Sequence, residues 1–155
     1  MTTLFIDADA CPVTREAISA ARSLGVPVVL VANGTQNLER HTKRPGVEAV
    51  VVSSGADAAD FAVVERLHPD DVVVTQDIGL AAMVLGRGAA AVSPRGHIFH
   101  LATIDAELLV RHEEKKLRRA GGRHGGPRAF TDEDREHFSE VIERLLRQAK
   151  EPGRG

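Results

Sequence analysis

Leu4-Phe5-Ile6-Asp7-Ala8-Asp9-Ala10-Cys11-Pro12 is the stretch that decides how this chain folds. A short apolar strand ends in two carboxylates, and a proline then opens a helix. Asp7 and Asp9 stand one residue apart, so on an extended strand both side chains point to the same side. Two like charges held that close repel unless a cation or a shared proton lies between them. Such a strand end suggests either a metal site or a nucleophile paired with an acid.

Strands and helices alternate outward from it. Thr3–Ile6 is the first predicted strand. A helix from Pro12 to Leu24 has Val13, Ala17, Ile18, Ala21 and Leu24 apolar at helical spacing. Gly25 stops it, and Val28–Ala32 is an apolar run of strand length ended by Asn33-Gly34. Residues 35–46 are polar and read as a surface loop or short irregular helix. Val47–Val52 is the third strand. Ser54-Gly-Ala-Asp57 has the form of a capping box, with Asp57 at its third helical position and a helix running to about Leu67. Asp71–Thr75 is the fourth strand, followed directly by Asp77 as the cap of a helix from Ile78 to about Leu85. Ala89–Val92 is a short fifth strand, ended by Ser93-Pro94-Arg95-Gly96.

Continuous apolar strands between helices imply an α/β fold: a three-layer sandwich with a mostly parallel sheet of about five strands. Right-handed crossovers place helices on both faces. After Gly96 two helices are expected, one capped by Thr103 and running to Arg119, one opened by a capping box at Thr131–Asp134. The last carries Phe138, Val141, Ile142, Leu145 and Leu146 on one face, which should pack onto the sheet. Residues 1–150 then form one domain, with a core over 1–96, a helical extension over 97–150 and a frayed tail over 151–155.

Composition narrows the function. The 155 residues are 43% hydrophobic but only 3% aromatic, with no Trp or Tyr, which fits a buried parallel sheet and not a base-stacking platform. A net charge of −2 gives no overall basic signal for nucleic acid. One cysteine excludes an internal disulfide and a multi-cysteine zinc site. The start has no basic segment followed by an apolar one, and no apolar run approaches the ~20 residues that span a bilayer. A soluble, cytoplasmic protein without membrane partners is expected.

Doubly wound sheets bind ligands beyond the carboxyl ends of their strands, where strand order reverses. With the first strand central, it neighbours the fourth. Asp7 and Asp9 then meet Asp77, while Asp57 and Asp60 come from the helix after the third strand. Each has a structural alternative: Asp9, Asp57 and Asp77 as caps, Asp60 as a partner of the helix dipole. Oxygen-rich carboxylate clusters suit Mg²⁺ or Mn²⁺. Cys11 reads as a packing residue, although a thiolate at a helix start can have a lowered pKa. His97 and His100 read as solvated loop residues. The basic side is a stretch from Arg111 to Arg128 containing Lys115, Lys116, Arg118, Arg119 and Arg123. It reads as a solvated face or as a phosphate-binding arm. Arg95, in the turn after the fifth strand, is a further candidate phosphate ligand.

Phe5-Ile-Asp-Ala-Asp-Ala-Cys-Pro12, Val29-Leu-Val-Ala-Asn33, Gly55-Ala-Asp-Ala-Ala-Asp60, Val74-Thr-Gln-Asp-Ile-Gly-Leu-Ala81, Gly88-Ala-Ala-Ala, Pro94-Arg-Gly96 and Gly125-Gly-Pro127 occur in this order. Together they resemble the YaiI/YqxD family of uncharacterised bacterial proteins. The family commonly has Pro in place of Gly79 and Asn in place of Ser93. It is usually grouped with PIN-like domains, metal-dependent ribonucleases of α/β sandwich fold. The resemblance implies a Mg²⁺/Mn²⁺ site on Asp7, Asp77, Asp57 and Asp60; Asp9 and the Cys-Pro lie outside the usual PIN pattern.

The leading expectation is a metal-dependent phosphodiesterase acting on RNA, with Asp7 and Asp77 catalytic and Asp9, Asp57 and Asp60 as further ligands. Arg95, Lys115, Lys116, Arg118, Arg119, Arg123 and Arg128 would bind nucleic acid. The alternatives are a haloacid-dehalogenase-type phosphatase with Asp7 as nucleophile, and a non-catalytic nucleic-acid-binding module. The partner expected is RNA or another phosphate ester, and a homodimer is left open.

Overall fold

A computed structural model describes residues 1–9, 11–33, 38–53, 57–121 and 128–150. Five strands alternate with helices among them: β1 (Leu4–Asp7), α1 (Thr14–Ser23), β2 (Val28–Ala32), α2 (Glu39–Thr42), β3 (Val47–Val51), α3 (Ala58–Val64), β4 (Val72–Val74), α4 (Ile78–Gly86), β5 (Ala90–Val92), α5 (Leu101–Arg119) and α6 (Asp132–Lys150). The sheet order is β3-β2-β1-β4-β5 and every pairing is parallel. β1 is therefore central, and Ile6 pairs with Leu30 on one side and Val74 on the other.

Strand period two splits the core into two layers. Leu4, Ile6, Val28, Leu30, Val72 and Val74 face α1 and α6. Phe5, Val29, Val31, Val73 and Ala91 face α3, α4 and α5. This is the expected three-layer sandwich. α6 is integral to it: Phe138, Val141, Ile142, Leu145 and Leu146 are all buried in the layer that α1 shares. Arg135 adds a polar tie, donating to the Pro12 carbonyl (2.8 Å) and to Glu16 (3.0 Å) on α1.

Several helix starts differ from the sequence expectation. α1 begins at Thr14, and its N-cap residue, Val13, makes no side-chain cap bond. Asp9 is not its cap; the Asp9 carboxylate instead accepts the Asn33 N–H (3.4 Å) from the end of β2. Asp57 occupies the N-cap of α3 itself, also without a side-chain cap bond, and α3 ends at Val64. α5 begins two residues before Thr103, whose hydroxyl donates to the His100 carbonyl. The box at α6 forms as expected, with the Thr131 hydroxyl accepting the Asp134 N–H (3.1 Å) and the Asp134 carboxylate accepting the Thr131 N–H (3.0 Å). Among the described residues, no helix is long and apolar enough to cross a membrane.

Candidate active site

Asp7 ends the central strand on the side that faces α3, α4 and α5, because it shares the parity of Phe5. Asp9 follows in the turn, and Asp77 caps α4 just beyond β4. One Asp77 oxygen accepts the N–H groups of Gly79 (2.8 Å) and Leu80 (3.3 Å). Thr75 joins the two strand ends: its buried hydroxyl donates to Asp7 (3.0 Å) and accepts the Asp77 N–H (3.0 Å).

The three acids line an open cleft of about 590 Å³. Its opposite wall is α5, which contributes Leu108, Arg111, His112 and Lys115. Ile104, Leu108, Arg111 and Lys115 are spaced four, three and four apart, so they share one helix face. Arg111, the first residue of the basic stretch read as a phosphate-binding arm, thus shares a face with Lys115; nothing local in the sequence singles out His112 or Thr75.

The sequence profile described as "Uncharacterized BCR, YaiI/YqxD family" matches residues 5–148. The chain belongs to the YaiI/YqxD family. It is 44% identical to a UPF0178 protein of Cereibacter sphaeroides over 99% of this chain and 94% of that one. A UPF0178 protein of Xanthomonas campestris pv. campestris is 48% identical over 92% and 89%. One of Clostridium acetobutylicum is 40% identical over 95% and 98%. Among solved structures, "ChuY: An Anaerobillin Reductase from Escherichia coli O157:H7" aligns with a TM-score of 0.45 at 14% identity. It covers 60% of this chain and 50% of its own, a likeness too distant to bear on function.

In this YaiI/YqxD chain the carboxylates are electrostatically uneasy. Burial pushes the Asp7 carboxyl above its usual range; the Thr75 hydrogen bond opposes this, and the charges of Asp9 and Asp77 add to it. Asp60 is pushed up to about 6, by burial first and then by Asp77, Asp7 and Asp57. Asp57 and Asp60 do not line the cleft, yet they share its field. Among the described residues, no lysine or arginine comes within ion-pair distance of these acids.

The charge of the three carboxylates fits a hard cation, although the Cys11 thiol and the His112 imidazole line the same cleft. Yet no three or more His, Cys, Asp or Glu side chains among the described residues stand together as a ready metal cage. A Mg²⁺-like ion would ask for no such cage, since it keeps several waters and takes only one or two carboxylates plus a substrate phosphate.

The remaining candidates are dispersed. Arg95 donates to Asp134 (3.0 Å) and to the carbonyls of Ala129 and Arg128, so its guanidinium is committed away from the cleft. Arg128 forms a two-pronged pair with the same carboxylate (2.8 and 2.6 Å). Lys116 lies off the cleft wall beside Glu113 (3.9 Å). Arg118 and Arg119 are exposed in the last turn of α5 and do not line the cleft. Arg123 lies outside the described residues. Cys11, by contrast, lines the cleft beside Asp7 and Asp9, but burial raises its thiol above its ordinary range, the reverse of the lowering a helix start can give. His97, instead of lying free in solvent, pairs with Glu107 (2.7 Å).

Proposed function

We propose that the cleft hydrolyses phosphodiesters, with RNA as the substrate class, using Mg²⁺ or Mn²⁺ held by Asp7 and Asp77. One observation carries the reading: Asp7, Asp9 and Asp77 face Arg111, His112 and Lys115 across a single open cleft. Acids alone repel a phosphate, and cations alone give no means of activating water. The two walls together suit an anionic substrate lying between a cation site and fixed positive charge.

A bound cation would supply an activated water and neutralise charge on the phosphate. The chain's own residues do the rest. Thr75 fixes Asp7 and, through the Asp77 N–H, the start of α4. The α4 N–H groups hold one Asp77 oxygen. Arg111 and Lys115 bind the phosphate from the far side and neutralise it as negative charge builds up. Asp9 sits one residue from Asp7 and keeps the site selective for cations.

The test is cleavage of a single-stranded RNA with Mn²⁺ by wild type, Asp7→Asn and Lys115→Ala. Cleavage should fall at least about a hundredfold in Asp7→Asn and about tenfold in Lys115→Ala. Equal rates in wild type and Asp7→Asn would sink the assignment.

The phosphatase reading gains one observation: a lysine, Lys115, lines the cleft that holds Asp7 and Asp9. Turnover of a small phosphomonoester with a trapped phosphoaspartate, and no RNA cleavage, would select it.

A further inference from the structure

α5 carries a second feature, on the side away from the cleft. Leu109, Val110 and Leu117 are 61%, 57% and 47% exposed. With Glu113, Glu114, Lys116 and Ala120 they line one shallow groove along the helix. At about 100° per residue all of these but Glu114, at the groove's edge, lie opposite Ile104, Leu108, Arg111 and Lys115. Val110 and Leu117 are seven residues apart, the spacing of apolar residues in helices that pair along a seam. Ile104 is the one buried residue among the nineteen of α5. A face carrying exposed Leu109, Val110 and Leu117 between charged residues is therefore left without a described partner.

We propose that this face pairs with a second copy of the chain, α5 against α5, antiparallel about a two-fold axis near residues 114–115. The charge order commits the occupant and the direction. Along the stripe the acid Glu113 comes first and the base Lys116 second. Antiparallel pairing sets Glu113 against the partner's Lys116 twice, once on each side of the axis. It also lays Leu109 and Val110 over the partner's Ala120. Parallel pairing would set like charge on like and is disfavoured. Within one chain Glu113 and Lys116 make only a loose pair at 3.9 Å with both side chains largely exposed, so re-pairing gives up little. The contact is self-complementary, as a two-fold interface must be. It spans about 18 Å of helix, so the dimer is weak. The cleft stays open because it lies on the opposite face, and pairing steadies the helix that forms its wall.

The experiment is sedimentation of the full chain over a wide concentration range. Wild type should show a reversible monomer–dimer equilibrium. Leu117→Glu should abolish it, and Glu113→Lys or Lys116→Glu should each weaken it about tenfold. The double reversal Glu113→Lys/Lys116→Glu should restore association towards the wild-type value. All four variants change exposed side chains, so their circular dichroism and melting should match wild type. A wild type that stays monomeric overturns the proposal. So does a dimer unmoved by the single reversals, or a double reversal no better than either single.

Discussion

At the scale of single residues, Thr75 does more for the site than its ordinary chemistry advertises. It is 1% exposed and directly follows β4, where an apolar residue would pack as well. Its hydroxyl is donor to Asp7 and acceptor for the Asp77 N–H at once, which sets the spacing between the two acids. Thr75→Val keeps the shape and removes both bonds. The Asp77 N–H then has no hydroxyl to bond, and Asp7 loses the contact that opposes its raised pKa. We expect a loss of about 1–3 kcal/mol in urea unfolding. The Asp7 carboxyl, followed by NMR, should titrate higher than in wild type. An unchanged Asp7 titration would show that the hydroxyl does not hold it.

At the scale of elements, the turn after β5 and the start of α6 are held by one carboxylate. Asp134, buried in the first turn of α6, receives Arg95, Arg128 and the Thr131 N–H. Gly96, next to Arg95, must stay glycine: its φ is +86°, and an added Cβ would stand 2.5 Å from His137 of α6. The Arg128 hydrogen bond first, and the Thr131 N–H after it, hold the Asp134 carboxyl far below its ordinary value of 3.8. A depressed carboxyl stabilises the fold above its unfolded value and loses that contribution as pH falls through the folded one. Asp134→Asn should therefore melt well below wild type at neutral pH. The gap should shrink steadily as pH drops below about 4. Melts of both proteins across the acid range decide it, since a constant gap would mean that ionisation of Asp134 contributes nothing.

At the scale of the whole molecule, what the sequence made legible is what local periodicity encodes. The apolar runs of β1, β2 and β4 and the Phe138–Leu146 stripe announce which faces are buried, and the sandwich follows. Pairings across long stretches of chain leave no local trace. Asp9 meets Asn33 across 24 positions, and Arg95 meets Asp134 across 39. A cap for Asp9 and a phosphate role for Arg95 were therefore as readable as their actual partners. The convergence of Asp7 and Asp77 was legible only through the strand order, which the fold bears out. That convergence gives the molecule a pH signature. Asp60, pushed up to about 6, and Asp7, raised likewise, favour the fold in their protonated forms. The Asp60 contribution is complete below the ordinary carboxylate value of 3.8 and is lost as pH rises through about 6, and Asp7 acts in the same direction. Metal-free protein should thus melt lower near pH 8 than near pH 5 on this account, and Asp60→Asn should flatten the decline. On the proposed reading, a divalent cation would bind the ionised carboxylates of the native state and stabilise it by mass action. Added Mn²⁺ should raise the melting temperature clearly near pH 8, little near pH 5, and hardly at all in Asp7→Asn. An equal rise at both pH values, or an undiminished one in Asp7→Asn, would place the cation elsewhere on the chain and leave the cleft acids without the partner their charge calls for.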